Sequence, residues 1–63
     1  MKKLKRNIRK EDYIKAKTLD LRDFGYRNLT EEEVTEQYDR IVKGEQLTVV
    51  GMFMQDDFTE EVK

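Results

Sequence analysis

Apolar side chains fall into three groups along this chain, and the first two recur at helical spacing. Tyr13, Ile14, Leu21 and Phe24 lie on one stripe of a helical wheel, with Thr18 beside them. Val34, Tyr38, Ile41 and Val42 follow the i, i+4, i+7, i+8 interval that buries one side of a helix. The spacing predicts a first helix over residues 10–23 and a second over residues 31–43. Leu19 lies off the first stripe, as do Leu4 and Ile8 if that helix is extended backwards, and together they make a weaker second edge.

The helix boundaries are encoded between Leu21 and Val34, in LRDFGYRNLTEEEV. Gly25 falls where a chain leaving a helix turns left-handed, which only glycine does without a steric penalty. Tyr26 follows at the position whose side chain packs back on the residue three before the helix end, here Leu21. Thr30 is a good N-cap, and Glu33 is placed to close a capping box onto it. Leu29 and Val34 flank the cap as an apolar staple, and Glu31, Glu32 and Glu33 put negative charge at the positive end of the helix dipole. Gly44 stops the second helix. On its outer face Glu36 with Arg40, and Asp39 with Lys43, are acid-before-base pairs at i, i+4.

The third group, LTVVGMFMQDDFTEEVK, is short enough that periodicity alone does not separate helix from strand. Read as a helix, it is capped by Thr48 and carries Val49, Val50, Phe53 and Met54 on one broad side, with Met52, Phe58 and Val62 toward the other. Read as a strand over residues 47–54, it has no partner in the chain unless a second copy supplies one. The expected fold is therefore all-α: a helical hairpin plus a C-terminal helix over residues 10–63, preceded by a basic arm over residues 1–9. The alternative is two helices plus one C-terminal strand that pairs in a dimer.

Length and composition sharpen this picture. A chain of 63 residues buries only ~60% of the surface its unfolded form exposes, so small folds add disulfides, a metal or a partner. Cys and His are both absent, which removes disulfides and the usual zinc ligands together. Association is the stabiliser that remains, so the chain is expected to pair with itself, as a dimer or higher assembly, or with another protein. No apolar run approaches the ~20 residues of a membrane span, and a cytoplasmic location is expected. With 43% charged residues the chain is polar enough to suggest disorder, but the helix punctuation and clustered apolar positions argue for a folded domain.

Charge is near balance overall, at −1, but unevenly placed. Residues 1–17 hold eight basic against two acidic side chains, a net of +6; the remainder holds five against twelve, a net of −7. Lys2, Lys3, Lys5, Arg6, Arg9 and Lys10 are the candidate nucleic-acid contacts, able to neutralise phosphates in a salt-sensitive manner. The arm offers no aromatic ring for base stacking. A helix–turn–helix reader would need basic and amide side chains on its second helix, yet that helix begins Glu31-Glu32-Glu33.

Catalytic chemistry has little to work with. The chain lacks Ser, Cys and His, which excludes Ser–His and Cys–His nucleophiles. Its three glycines are isolated and make no phosphate-cradling loop, and so small a core is not expected to enclose a ligand pocket of ~300 Å³. Asp56 with Glu60, and Asp57 with Glu61, would be i, i+4 pairs on a helix, best read as a solvated acidic face. No cofactor or metal is expected. Met and Phe are adaptable interface side chains, which makes Val49, Val50, Met52, Phe53, Met54 and Phe58 the candidate protein interface. Size and composition are similar to those of the small accessory proteins that phages and plasmids encode, although no motif carries the likeness. The expected function is a non-enzymatic, self-associating interaction or assembly module; the alternative is a nucleic-acid-associated regulator that uses the basic arm.

Overall fold

The computed structural model describes residues 2–60, and its element order is β1 (Lys2–Leu4), α1 (Lys10–Phe24), α2 (Glu31–Lys43), α3 (Val49–Met54), a 3-10 turn (Gln55–Asp57) and β2 (Phe58–Glu60). Three helices make a small domain, and the two short strands pair antiparallel to tie its ends together. Among the described residues no helix is long and apolar enough to cross a membrane.

The helix boundaries follow the local sequence. Gly25 has φ +141°, and the amides of Gly25 and Tyr26 donate to the carbonyls of Arg22 and Leu21, at 3.2 and 3.0 Å. This is the Schellman arrangement that closes a helix on a glycine. Gly44 repeats it at the end of α2, with φ +78° and the Glu45 amide on the Arg40 carbonyl at 2.8 Å. Thr30 caps α2 by accepting from the Glu33 amide at 3.3 Å, the half of the capping box that the structure makes. Leu29 and Val34, on either side of the cap, are both buried.

The core is built from Tyr13, Ile14 and Leu21 of α1, Leu29, Val34 and Ile41, Val50 and Met54 of α3, and Phe58 of β2. Leu4, Tyr26, Tyr38, Val42 and Leu47 pack against it. Two polar side chains are buried with them. Thr18 satisfies its hydroxyl by donating back to the Ile14 carbonyl at 2.6 Å, and Gln37, only 2% exposed, accepts from the Thr48 amide at 3.1 Å. Gln37 thus takes over the start of α3. Thr48 does sit at the N-cap, but its own side chain makes no capping bond.

Four expectations are corrected. Phe24 does not face the core: it is 69% exposed, because at the last helical residue its ring lies over Tyr26 and Phe53 at the surface. Asp39 pairs with Lys10 at 2.7 Å rather than with Lys43, since the Lys10 ammonium also lies 5.1 Å from the Tyr38 ring centroid. The third helix is short. Gly51 weakens it from within, Asp56 and Asp57 follow where the helix dipole disfavours negative charge, and burying Phe58 rewards an extended exit. The strand alternative over residues 47–54 is overturned with it, because the strand lies at Phe58–Glu60 and finds its partner inside the same chain.

That partner is the fourth correction. Within the basic arm expected over residues 1–9, residues 2–4 form strand β1, with Lys2 opposite Glu60, Lys3 opposite Thr59 and Leu4 opposite Phe58. The Lys5 amide continues the tie by donating to the Asp57 carbonyl at 3.0 Å. Alternation puts Leu4 inward beside Phe58, and Lys2 meets Glu60 as an opposite-charge cross-strand pair. Ile8 is exposed. Val62, assigned to a helical side by its spacing, lies outside the described residues, as does Glu61.

Candidate functional site

The expected interface residues separate into two sets. Val50, Met54 and Phe58 are buried, and Val49, Met52 and Phe53 are exposed. The division follows from α3 being a single short helix wedged against α2. Val50, Gly51 and Met54 make its inner side, where a Cβ on Gly51 would come within 2.9 Å of the Leu47 Cβ. Phe58 belongs to the core through the strand, its ring edge-on to Tyr13 at 5.8 Å and to Tyr38 at 5.1 Å.

Phe53, 43% exposed, is the centre of a surface cluster of rings. Phe24 lies 5.5 Å from it and Tyr26 6.0 Å, while Phe24 and Tyr26 stack on one another at 6.4 Å with 19° between their planes. Edge-on and offset contacts of this kind hold rings in defined orientations. The cluster therefore has a shape, set by the Gly25 turn that places Phe24 and Tyr26 side by side. Sequence spacing missed Phe24 because it counted that residue into the core stripe. The available signal was its position as the final helical residue, directly before the glycine that reverses the chain.

The candidate phosphate contacts also divide. Arg9 is held by Asp12 at 3.1 Å, and Lys10 by Asp39 at 2.7 Å. Lys2 lies in β1 opposite Glu60. Lys3, Lys5 and Arg6 form no ion pair among the described residues. The structure thus brings three of the six together without ion partners among the described residues, pairs Arg9 and Lys10 with carboxylates, and sets Lys2 across the strand pair from Glu60.

A polar clasp that spacing did not reveal joins α1 to the C-terminal turn. The Tyr13 hydroxyl donates to Asp57 Oδ2 at 2.8 Å, and Lys17 Nζ meets the same oxygen at 2.8 Å. Burial and the bond to Asp57 push the Tyr13 phenol far above its ordinary range, so it stays protonated and serves as a donor. Burial alone would raise the Asp57 carboxyl. The hydrogen bonds from Lys17 and Tyr13, with the charges of Lys17 and Arg6, outweigh it and hold Asp57 below the usual carboxylate range. Asp57 was assigned by spacing to a solvated face. Its partners stand 40 and 44 positions away in sequence, so no local pattern could announce them.

Two open grooves flank the segment after β1. One, of about 390 Å³, mixes both signs of charge, with Lys5, Arg6 and Lys17 among its lining and Asp20, Asp56 and Asp57 beside them. The second, about 400 Å³, runs between residues 3–8 and Tyr38. Both are open at the surface rather than enclosed. The helical carboxylate pair Asp56–Glu60 does not exist, since Asp56 lies in the 3-10 turn and Glu60 in β2. Among the described residues no group of three metal-binding side chains converges.

The Asp57 clasp has a pH signature. Its folded pKa is depressed, so its stabilisation is fully present above the unfolded carboxylate value of ~3.9 and is lost as pH falls through the folded value. The stability gap between the parent and Asp57→Asn should be widest near neutral pH and close as the pH is taken from ~4 toward ~2. Urea midpoints of both proteins across that range check this. A gap that persists unchanged at the acid end would mean that the carboxylate is not what Lys17 and Tyr13 stabilise.

These features define a class by architecture: a three-helix domain closed by a two-stranded antiparallel sheet, with one aromatic cluster and one basic segment on its surface. Comparison with family models, with curated proteins and with solved structures finds no match to this chain.

Proposed function

We propose that this chain is a non-enzymatic assembly module that associates with a second copy of itself through the rings of Phe24, Tyr26 and Phe53. The observation that carries the reading is the exposure of two phenylalanines in mutual contact, Phe24 at 69% and Phe53 at 43%. Aromatic anchors clustered at a surface are what interface centres are made of, and the helix that carries Phe53 exposes two further apolar side chains, Val49 and Met52. Desolvating them recovers roughly 25 cal/mol per Å² of apolar surface. A two-fold axis lets one patch serve both partners, because each copy presents the same rings to the other. The net charge of −1 leaves little repulsion to oppose the pairing. The small core and the lack of Cys and His supply the motive.

Sedimentation of the parent and of Phe53→Glu across a concentration series tests this. The parent's molar mass should rise toward that of a dimer. The variant should keep its helical spectrum, since Phe53 is not in the core, and should sediment as a monomer. Loss of such an anchor weakens association by ~2 kcal/mol or more, roughly thirtyfold. A parent that remains a monomer at the highest concentration reached would end the proposal.

A further inference from the structure

We infer that the groove between residues 3–8 and Tyr38 is an anion site that takes the phosphate group of a nucleotide or of a nucleic-acid strand. Its charged lining is Lys3, Lys5 and Arg6, joined by the Asn7 amide, over a floor of Leu4, Ile8 and Tyr38. No carboxylate lines it. The neighbouring groove shares Lys5 and Arg6 but sets them against Asp20, Asp56 and Asp57. Three of the other cations in residues 1–17 already have carboxylate partners: Arg9 pairs with Asp12, Lys10 with Asp39 and Lys17 with Asp57. The fold therefore collects, at one groove, three cations that form no ion pair among the described residues.

The backbone that carries them is fixed rather than frayed. Lys3 stands in β1 opposite Thr59, and the Lys5 amide donates to the Asp57 carbonyl at 3.0 Å. The Ile8 amide donates to the Arg6 carbonyl at 2.9 Å, a tight turn that holds Arg6 and Asn7 at the groove. Preorganised donors lose less freedom when they capture an anion than those of a loose tail do. Arg6 presents a planar fork suited to two phosphate oxygens, while the lysines act as point charges. Tyr38, delivered from α2, gives the segment the ring that its own sequence lacks. The site is distinct from the Phe24–Phe53 cluster and does not depend on self-association.

Binding of the full-length chain to pyrophosphate, to a nucleoside triphosphate and to a labelled oligothymidylate, measured at low salt, tests the inference. At least one phosphate probe should bind, and binding should weaken roughly tenfold between ~50 and ~200 mM salt. Lys3→Gln, which touches only this groove, should weaken it by roughly tenfold. Lys15→Gln, an exposed cation outside both grooves, should change it less than about twofold. Equal binding of all three probes identifies the phosphate group itself as the ligand, and preference for the oligonucleotide identifies a strand as its source. If no probe binds, or if the two lysine variants lose affinity equally, the groove is not a site.

Discussion

Phe58→Ala is expected to unfold this domain at ordinary temperatures. Phe58 is buried in β2, makes edge-on contacts with Tyr13 and Tyr38, and stands opposite Leu4 across the strand pair. Truncating a buried phenylalanine costs about 3–5 kcal/mol, in lost transfer energy and in the cavity left behind. A domain of this length is stable by only ~3–9 kcal/mol, at roughly 0.05–0.15 kcal/mol per residue. The loss is thus comparable to everything that holds the fold together. Neighbouring rings cannot close the gap cheaply, because Tyr13 is fixed by its bond to Asp57 and Tyr38 lies under the Lys10 ammonium. Thermal unfolding followed by circular dichroism should show the transition lowered by at least ~12 °C or no cooperative transition at all. A variant that melts within ~3 °C of the parent would remove Phe58 from the core, and with it the reason for the strand pair. The contrast with Phe53 is direct. Five residues apart, one phenylalanine carries the fold and the other faces water.

That contrast also shows which kind of information a sequence exposes. Gly25, Thr30 and Gly44 could be read because their effects are complete within five residues: a positive φ, a cap and the bonds that follow. The inner face of α2 could be read because Val34 and Ile41 obey a helical period along one element. Gln37 interrupts that reading. A glutamine on the apolar side is expected to point outward, and its burial makes sense only when the Thr48 amide arrives from another helix. The same limit hid β1. Three residues, Lys2–Leu4, are too few to alternate convincingly, and their partner is at the far end of the chain. The basic character of the segment was visible, whereas the tie that fixes it was not.

The surface features divide along the same line. Phe53 was identifiable as an interface candidate because α3 is apolar nearly all round and one of its sides had to remain uncovered. Phe24 was not, because the wheel continues a stripe through the last turn without regard to where the packing ends. Among the cations, composition showed the excess of charge in the first seventeen residues. Only the ion pairs Arg9–Asp12, Lys10–Asp39 and Lys17–Asp57 show which of those charges are already answered.

Gly51→Ala should destabilise the domain, although the same change inside an unhindered helix is stabilising by ~0.4–1 kcal/mol. Gly51 is buried in the middle of α3 with ordinary helical backbone, so nothing about its conformation requires glycine. The requirement is space. A Cβ there would stand 2.5 Å from Gln37 Oε1, 2.9 Å from Leu47 Cβ and 3.1 Å from Leu47 Cδ2. The glutamine oxygen is the end of a flexible side chain, but it cannot swing aside freely while it accepts from the Thr48 amide. Leu47 Cβ is attached directly to the backbone of the link that leads into α3, so that link or α3 itself would have to shift. Overpacking of this kind costs ~1–3 kcal/mol, which lowers the melting temperature of a domain this size by ~4–8 °C per kcal/mol. Gln37→Ala should be costly for a different reason, leaving the Thr48 amide without its partner, at ~1–3 kcal/mol. Because the two substitutions act on one contact, their effects should not add: the alanine at position 37 vacates part of the space that the new Cβ needs. Denaturation of the parent, both single variants and the double variant measures that coupling. If Gly51→Ala raises the melting temperature, α3 packs against Gln37 and Leu47 with room to spare, and their close approach is not what glycine is there to permit.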